Sequence, residues 1–283
     1  MNTFIEKKIY RLIYTRDYIE KLILASLKLN KRKLQEQFLR TKSSIGYFFL
    51  DDLLPDNLVS LIYDAFPNNN AMVLKNNLRE FKYVGYQMNE YKAILEDVIF
   101  AFQSKDIVRE IGIICKIKDI IPDESLHRGG ISLMGKENFL NPHLDNSHNK
   151  DRNLWRVLNL LYYVTPGWKL ENGGNLELWP NGIKNPSITI ESRCNRLIVM
   201  STHQKSWHSV SKVQTDIPRC CISNYYFSKK PLAFDDSFHV TTFRGRPQEK
   251  IKDGILQFDN FLRTFFRKVF KKGVAMRKHE YKK

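Results

Sequence analysis

The spacing of apolar residues divides the chain into a helical beginning, a strand-rich middle and a helical end. Between residues 5 and 40, apolar side chains recur at helical spacing among Lys and Arg, which predicts one or two basic amphipathic helices. A strand at 47–50 follows. The pattern then predicts a helix from about Pro55 to Phe66 and another from about Tyr91 to Ile111.

From residue 130 onward the pattern changes to short β-branched and aromatic runs that are broken by Gly, Pro and Asn. These runs predict strands at 131–134, 139–145, 154–165, 176–179, 187–190, 196–201 and 219–228. Six or more short strands at this spacing are typical of a sandwich or a barrel. We therefore expect a mainly β fold with flanking helices.

A further basic amphipathic helix is predicted near the C-terminus. Its apolar face is formed by Ile255, Phe258, Leu262, Phe265, Phe266 and Val269. Its basic residues are Arg263, Arg267, Lys268, Lys271 and Lys272. The favoured interpretation is that the apolar stripe packs on the β domain and that the charges are solvated. The alternative is that the helix lies on an anionic membrane with its apolar face in the interface.

Charge separates the same three parts of the chain. The 283 residues carry a formal net charge of +16, to which segments 1–45 and 231–283 contribute +7 each. We therefore predict a basic helical extension at 1–45, a nearly neutral globular domain at 46–230 and a basic extension with the amphipathic helix at 231–283. Basic extensions indicate an anionic partner, and charge alone leaves lipid, nucleic acid and protein open.

The cysteines and the hydropathy bear on the compartment. The four cysteines have neither CxxC spacing nor the density of a disulfide scaffold, which is typical of buried thiols in a reducing compartment. The sequence has no signal-peptide pattern and no run of about 18 uncharged apolar residues. We expect a cytoplasmic protein that is soluble or peripheral to the inner face of the membrane.

Four residues on or beside the predicted strands carry the candidate chemistry. His143 and Asp145 stand two residues apart at the end of an extended run, where the strand period puts both side chains on one face. His208 offers a third ligand, and two His with one carboxylate form the facial triad of non-haem Fe(II) oxygenases. Arg219 has a planar guanidinium that fits the distal carboxylate of 2-oxoglutarate. An HxD motif alone often occurs by chance. The prediction therefore depends on the order along the chain, in which the HxD motif is followed by several strands, then by His208 and then by Arg219 on the next strand.

Longer motifs extend these residues into a family resemblance. The motifs are RVLNLLYYV at 156–164, GGNLEL at 173–178, NRLIVM at 195–200 and RCCISNYYF at 219–227, preceded by YFFLDDLLP at 47–55. Over about residues 46–230 the chain resembles the core of the prolyl 4-hydroxylase family of Fe(II)- and 2-oxoglutarate-dependent oxygenases, which includes the hypoxia-sensing enzymes. This resemblance implies a double-stranded β-helix, or jelly roll, supported by N-terminal helices.

The resemblance also implies roles for individual residues. His143, Asp145 and His208 take the positions of the iron ligands, and Arg219 takes that of the 2-oxoglutarate clamp. Tyr163 stands where the family places a tyrosine that can bond the same carboxylate, and a packed strand aromatic is an equally good interpretation of it. The implied cofactors are Fe(II), 2-oxoglutarate and O2, with ascorbate as a further candidate.

Three other positions complete the comparison with the hypoxia-type enzymes. Leu133 stands where those enzymes have a tyrosine that contacts the cosubstrate, so that this contact comes from elsewhere or is absent. Arg156 aligns with a residue near their substrate entrance, but a solvated surface arginine is the favoured interpretation. His148, in a polar loop, is interpreted as an exposed loop histidine.

The predicted function is hydroxylation of an unactivated C–H bond with formation of succinate and CO2. Asp145 favours this reaction because halogenating relatives lack the carboxylate. The substrate stays open between a prolyl-type peptide or protein residue, a small molecule and a lipid-linked glycan. Nucleic acid is the less favoured partner, since Tyr225 stands where demethylases of the superfamily carry a second arginine. The alternative function is a non-catalytic cupin-like metal-binding or scaffold protein that docks to an anionic surface, although such a protein would not need Arg219.

Overall fold

In the computed structural model, which describes residues 14–269 and residue 281, thirteen strands form one curled antiparallel sheet. The strands are β1 (Tyr47–Leu50), β2 (Val73–Asn76), β3 (Glu80–Gly85), β4 (Ile120–Pro122), β5 (Gly130–Met134), β6 (Phe139–Leu144), β7 (Trp155–Tyr163), β8 (Leu176–Leu178), β9 (Ile188–Ile190), β10 (Arg196–Ser201), β11 (His208–Val210), β12 (Arg219–Ser228) and β13 (Thr242–Phe243). Their order is β1-β10-β7-β12-β5-β3-β6-β11-β8-β9, with β2 beside β3, β4 beside β12 and β13 beside β6. The predicted mainly β class is confirmed, and the curled sheet is consistent with a double-stranded β-helix.

Six α-helices of the described residues accompany the sheet. They are α1 (Arg16–Leu29), α2 (Lys31–Thr41), α3 (Asp56–Ala65), α4 (Ala93–Ala101), α5 (Lys105–Cys115) and α6 (Lys250–Val269). The first two bury their apolar faces in the main hydrophobic core, through Ile19, Ile23, Leu27, Leu34 and Phe38. The N-terminal amphipathic helices are therefore present over 16–41, and the rest of the predicted segment, 5–13, lies outside the described residues.

The helix predicted from about Tyr91 to Ile111 is in fact two helices, α4 and α5. The break falls at Ser104, whose backbone is extended and whose hydroxyl accepts a hydrogen bond from the Ile107 amide at 3.4 Å. Serine is a strong N-cap because its side chain satisfies an amide that the helix leaves free. The continuous apolar pattern across the break concealed the start of the second helix.

All eight predicted strands are confirmed within two residues of their bounds, but the prediction omitted β4, β11, β13 and the β2–β3 hairpin. Its turn is closed by the Asn77 amide, which donates to the Glu80 carbonyl at 3.0 Å, and by the Arg79 amide, which donates to the Asn77 side chain at 2.9 Å. Strand β2 is mostly exposed, so it shows no alternation of apolar and polar residues. Strand β3 nevertheless belongs to the sheet, because it pairs with both β5 and β6.

Helix α6 corrects the favoured interpretation of the C-terminal stripe. Ile255, Phe258 and Phe265, which were expected to pack on the β domain, are 50%, 65% and 55% exposed. The buried residues of α6 are Leu256 and Asn260, and the helix is held to the sheet mainly by polar contacts. Its apolar face therefore points away from the protein. None of the helices in the described ranges is long and apolar enough to cross a membrane.

A buried asparagine, Asn195, joins the start of β10 to the segment that follows β1. It adopts a left-handed conformation with φ 61°, which asparagine tolerates better than most residues. Its side-chain oxygen accepts from the Leu54 amide at 3.0 Å and from the Tyr162 hydroxyl at 2.9 Å, and its side-chain nitrogen donates to the Leu54 carbonyl at 2.7 Å. One side chain thus satisfies the polar groups of two segments far apart in sequence.

We predict that Asn195→Ala lowers the free energy of unfolding by about 2–4 kcal/mol. The substitution leaves three buried polar groups without partners and places alanine in a left-handed conformation. Urea denaturation measures the change, with Asn185→Ala as the control because the Asn185 side chain makes one exposed bond, to the Asn181 carbonyl. A loss no larger than that of the control would contradict this account.

Candidate active site

The pairing of β6 with β11 brings the two predicted histidine ligands together. His143 on β6 lies directly opposite His208 on β11 in the antiparallel register, and their ring centroids are 4.1 Å apart. Asp145 follows β6 and faces both imidazoles. Its carboxylate oxygens lie 3.8 Å from His143 Nε2 and 3.7 Å from His208 Nε2. The three residues are buried and form the group of potential metal ligands found among the described residues.

Hydrogen bonds fix the same orientation for both imidazoles. His143 Nδ1 lies 3.0 Å from the Asn141 carbonyl, and His208 Nδ1 lies 3.0 Å from the Ser206 carbonyl, in each case two residues earlier in the chain. Because a carbonyl can only accept, Nδ1 of each neutral ring carries the proton. Each Nε2 therefore presents a free lone pair towards the carboxylate of Asp145.

The charge states of the group suit a cation. Burial, together with the neighbouring His208, lowers the pKa of His143 to about 3, which keeps its imidazole neutral. Burial alone would raise the pKa of Asp145, but the positive charge of the Arg156 guanidinium helps to hold it below its usual range. Two imidazole nitrogens and one carboxylate within 4.8 Å of one another can hold a divalent metal ion.

Three side chains behind Asp145 hold its carboxylate. Asn159 Nδ2 donates to one oxygen at 3.2 Å, and the Tyr225 hydroxyl lies 3.4 Å from the other. The Arg156 side chain is fully buried; its guanidinium stacks 3.8 Å over the Tyr225 ring and lies 3.9 Å from the carboxylate. The interpretation of Arg156 as a solvated surface residue is therefore wrong. Its side chain is covered by the Tyr225 ring of the neighbouring strand β12 and donates to the His127 carbonyl at 3.2 Å.

Arg219 and Tyr163 lie side by side on neighbouring strands, β12 and β7. Arg219 donates to the Gly174 carbonyl at 3.1 Å and contacts the Met134 sulfur, while its Nε has no partner. The Tyr163 hydroxyl is also buried without a hydrogen bond, and the guanidinium lies 5.1 Å from the centre of its ring. Burial raises the pKa of Tyr163 to about 12, so the hydroxyl remains a donor.

This arrangement fits an anionic cosubstrate. No carboxylate among the described residues pairs with Arg219, although a buried guanidinium requires an anion or several acceptors. A ligand carboxylate could accept from both the guanidinium and the tyrosine hydroxyl. Gly174 makes room for this contact, because a Cβ there would lie 3.1 Å from Arg219 Cδ.

The structure also corrects the interpretation of His148. Its ring is buried, lies 4.1 Å from the Trp155 ring and 5.6 Å from the Phe238 ring, and bonds the Ser147 hydroxyl at 2.8 Å. The polar sequence around it predicted exposure, but the loop folds back against residues 236–239, through bonds between Ser147 and His239. His148 does not join the triad.

Sequence reasoning missed the support behind His143. The Phe243 ring stacks on the imidazole with centroids 5.1 Å apart and an interplanar angle of 16°. Strand β13 has only two residues, so periodicity could not reveal it. Asn260 on α6 in turn bonds both the amide and the carbonyl of Phe243. The signal that was available is the short Val-Thr-Thr-Phe run at 240–243.

Comparison with known proteins agrees with this geometry. Residues 129–227, which contain all four candidate residues from His143 to Arg219, match the sequence profile of the 2OG-Fe(II) oxygenase superfamily. No curated protein matches the chain in sequence. Similar folds occur in solved structures of prolyl hydroxylases, all below 20% sequence identity, and these likenesses concern the fold alone.

Three of these structures illustrate the extent of the likeness. A Pseudomonas putida prolyl-4-hydroxylase has 15% identity and a TM-score of 0.52, and the match covers 69% of this chain and 98% of that one. A Phytophthora capsici prolyl 4-hydroxylase has 17% identity and a TM-score of 0.54, and the match covers 93% of this chain and 81% of that one. A Trichoplax adhaerens prolyl hydroxylase was solved with a hypoxia inducible factor peptide fragment. It has 19% identity and a TM-score of 0.51, and the match covers 75% of this chain and 96% of that one.

The profile match shows a 2OG-Fe(II) oxygenase domain over residues 129–227, the part of the chain that bears the triad, and the fold is consistent with it. The domain and the His-Asp-His group support a 2-oxoglutarate-dependent dioxygenase. The cofactors of this superfamily are Fe(II) and 2-oxoglutarate, and the His-Asp-His group and the buried arginine fit them.

We predict that Phe243→Leu weakens binding of divalent metal roughly tenfold. Leucine fills similar space but cannot stack on the imidazole, so His143 gains rotational freedom, and loss of such outer support typically costs 10- to 100-fold in affinity. Titration with Mn(II) against a competing chelator measures the change. Phe234→Leu is the control, since Phe234 is fully exposed. Equal affinities for the two variants would contradict a supporting role of Phe243.

Proposed function

We propose that this enzyme hydroxylates an unactivated C–H bond of its substrate, with His143, Asp145 and His208 as the ligands of Fe(II). The observation that carries this proposal is the convergence of two free imidazole lone pairs on a retained carboxylate. Three protein ligands on one face of a six-coordinate ion leave three positions open for a 2-oxo acid and O2. Retention of Asp145 supports hydroxylation, because this ligand occupies the position that a halide would need.

The bound cofactors supply the oxidising chemistry: O2 is reduced, 2-oxoglutarate becomes succinate and CO2, and one oxygen atom enters the substrate as hydroxyl. The protein positions the reactants. Each histidine is oriented by its Nδ1–H bond to the backbone, and Asp145 is held by Asn159 and Tyr225. A carboxylate held in this way keeps the ligand set in place while the other coordination positions exchange.

Arg219 and Tyr163 are proposed to bind the distal carboxylate of 2-oxoglutarate. Both present unpartnered buried donors. Arg219 contacts Met134 of the small apolar cluster that also holds Trp168, Val210 and Val213, and Tyr163 belongs to a second apolar cluster. Such walls exclude water and strengthen the charged hydrogen bonds between the guanidinium and the ligand. Leu133 is 8% exposed on β5 and brings no polar group, so the cosubstrate contact made by tyrosine in the hypoxia-type enzymes has no counterpart at this position.

The substrate is to be sought among prolyl-type peptide or protein residues, small molecules and glycans. Cell extract incubated with the enzyme, Fe(II), 2-oxoglutarate and isotopically labelled O2 should yield a product that gains one labelled oxygen atom, detected by untargeted mass spectrometry. Product formation without incorporation of label would favour another oxidation of the same superfamily. Succinate that never forms under any condition would favour the non-catalytic alternative.

We predict that His143→Ala and Asp145→Ala abolish Fe(II)-dependent formation of succinate while the fold persists. An open-faced site with three ligands cannot lose one of them and keep the metal in place. Succinate release and circular dichroism measure the two effects. Asp216→Ala is the control, because it removes an exposed carboxylate. Full turnover in both triad variants would contradict the assignment of His143 and Asp145 as iron ligands.

We also predict that Arg219→Lys raises the concentration of 2-oxoglutarate needed for half-maximal rate. Lysine keeps the charge but loses the bidentate fork, which costs about 1–3 kcal/mol, or roughly 5- to 150-fold. Tyr163→Phe should show a smaller rise, since it removes one neutral donor. The matched control is Arg193→Lys, at a half-exposed position. An unchanged requirement in Arg219→Lys would mean that another residue holds the carboxylate.

A further inference from the structure

Helix α6 is fastened to the protein by its polar face. Asp253 forms an ion pair with Arg244, and Asp259 forms one with Arg79 at the end of the β2–β3 hairpin. Asn260 bonds the backbone of Phe243, and Lys252 lies 4.8 Å from the centre of the Phe139 ring. Both acidic residues in the described part of the helix are therefore paired with arginines that lie outside the helix, next to strands of the sheet.

The opposite face of α6 is apolar and uncovered by any described residue. Its members are Ile251, Ile255, Phe258, Phe261, Leu262, Phe265 and Phe266, and their exposed fractions run from 37% to 84%. At about 100° of rotation per residue, most of them fall in one stripe roughly opposite Leu256 and Asn260, the two buried residues. Contiguous apolar patches of this kind mark interaction sites, whereas single exposed apolar residues need no explanation.

The helix itself has an excess of basic residues. Over Lys250–Val269 its sequence contains five Lys or Arg and two Asp. The basic N-terminal helices differ from α6, since α1 and α2 bury their apolar faces in the core. Among the described amphipathic helices, α6 is thus the one that joins an exposed apolar face to an excess of basic residues.

We propose that the apolar face of α6 binds the surface of an anionic phospholipid bilayer. An aromatic and aliphatic stripe bordered by Lys and Arg suits a helix lying in the interface, where the rings enter the acyl boundary and the cations meet lipid phosphates. The excess of basic residues opposes pairing with a second copy, because two helices of like net charge repel each other. This proposal goes beyond the hydroxylation proposed above and does not depend on it.

The contact would bring the metal site close to the lipid surface. Asn260 of α6 holds Phe243, and the Phe243 ring stacks on His143, so that one β strand and one ring separate the bound helix from the triad. Docking through α6 therefore presents the site to molecules held at a membrane.

Flotation of the full-length protein tests the proposal. Vesicles of phosphatidylcholine alone are compared with vesicles of equimolar phosphatidylcholine and phosphatidylglycerol, at low and at high salt. The protein should float with the anionic vesicles at low salt, remain at the bottom with the neutral ones, and dissociate as salt rises. The double variant Phe258→Ser/Phe265→Ser should lose flotation, and Arg267→Gln/Lys268→Gln should weaken partitioning by roughly fivefold per charge.

Phe234→Ser is the matched control, since it removes a fully exposed aromatic outside α6 and should float like the wild type. Size-exclusion chromatography with light scattering and thermal denaturation complete the test. A wild type that stays unbound on anionic vesicles at low salt overturns the proposal. So does a wild-type dimer that Phe258→Ser/Phe265→Ser dissociates, or a marked loss of stability in that variant, because each would show that protein already covers the face. Flotation does not measure turnover, so its failure leaves the assignment of the metal ligands untouched.

Discussion

The antiparallel pairing of β6 with β11 is the constraint on which the site depends. It sets His143 opposite His208, and the period of two along β6 then directs Asp145 towards both rings. A shift of register by one residue would turn these side chains to the other face of the sheet. The hydrogen bond from each Nδ1 to the backbone adds a second constraint, because it fixes the ring so that its Nε2 lone pair points towards Asp145.

The surroundings of the triad show how the protein keeps several charges buried. Asp145 stays ionised beside the buried guanidinium of Arg156, and this guanidinium is itself stacked on Tyr225. Arg219 differs, since no described carboxylate compensates its charge. One buried cation thus lies beside the carboxylate of the triad, and we propose that the other binds the carboxylate of a ligand.

Much of the fold could be predicted because the strands of the middle segment follow clear apolar runs. The four candidate site residues were also visible, since HxD, a later His and an Arg on the next strand form a pattern with a chemical reason. Other features depend on tertiary contacts that spacing does not encode. Arg156 and His148 look like surface residues in sequence, and Phe243 contacts His143 through a strand of two residues. For α6 the periodicity revealed both faces, but only the polar contacts to Arg79, Arg244 and Phe243 decide which one meets the protein.

The central claim is that one metal ion sits between His143, Asp145 and His208 with 2-oxoglutarate beside it. The most direct measurement is a crystal structure of the protein grown without oxygen in the presence of Fe(II) and 2-oxoglutarate, with anomalous diffraction at the iron edge. We expect a single anomalous peak within bonding distance of both Nε2 atoms and one Asp145 oxygen, and a ligand carboxylate on Arg219. Iron bound elsewhere, or a carboxylate of Asp145 turned away from the metal onto Arg156, would contradict the account.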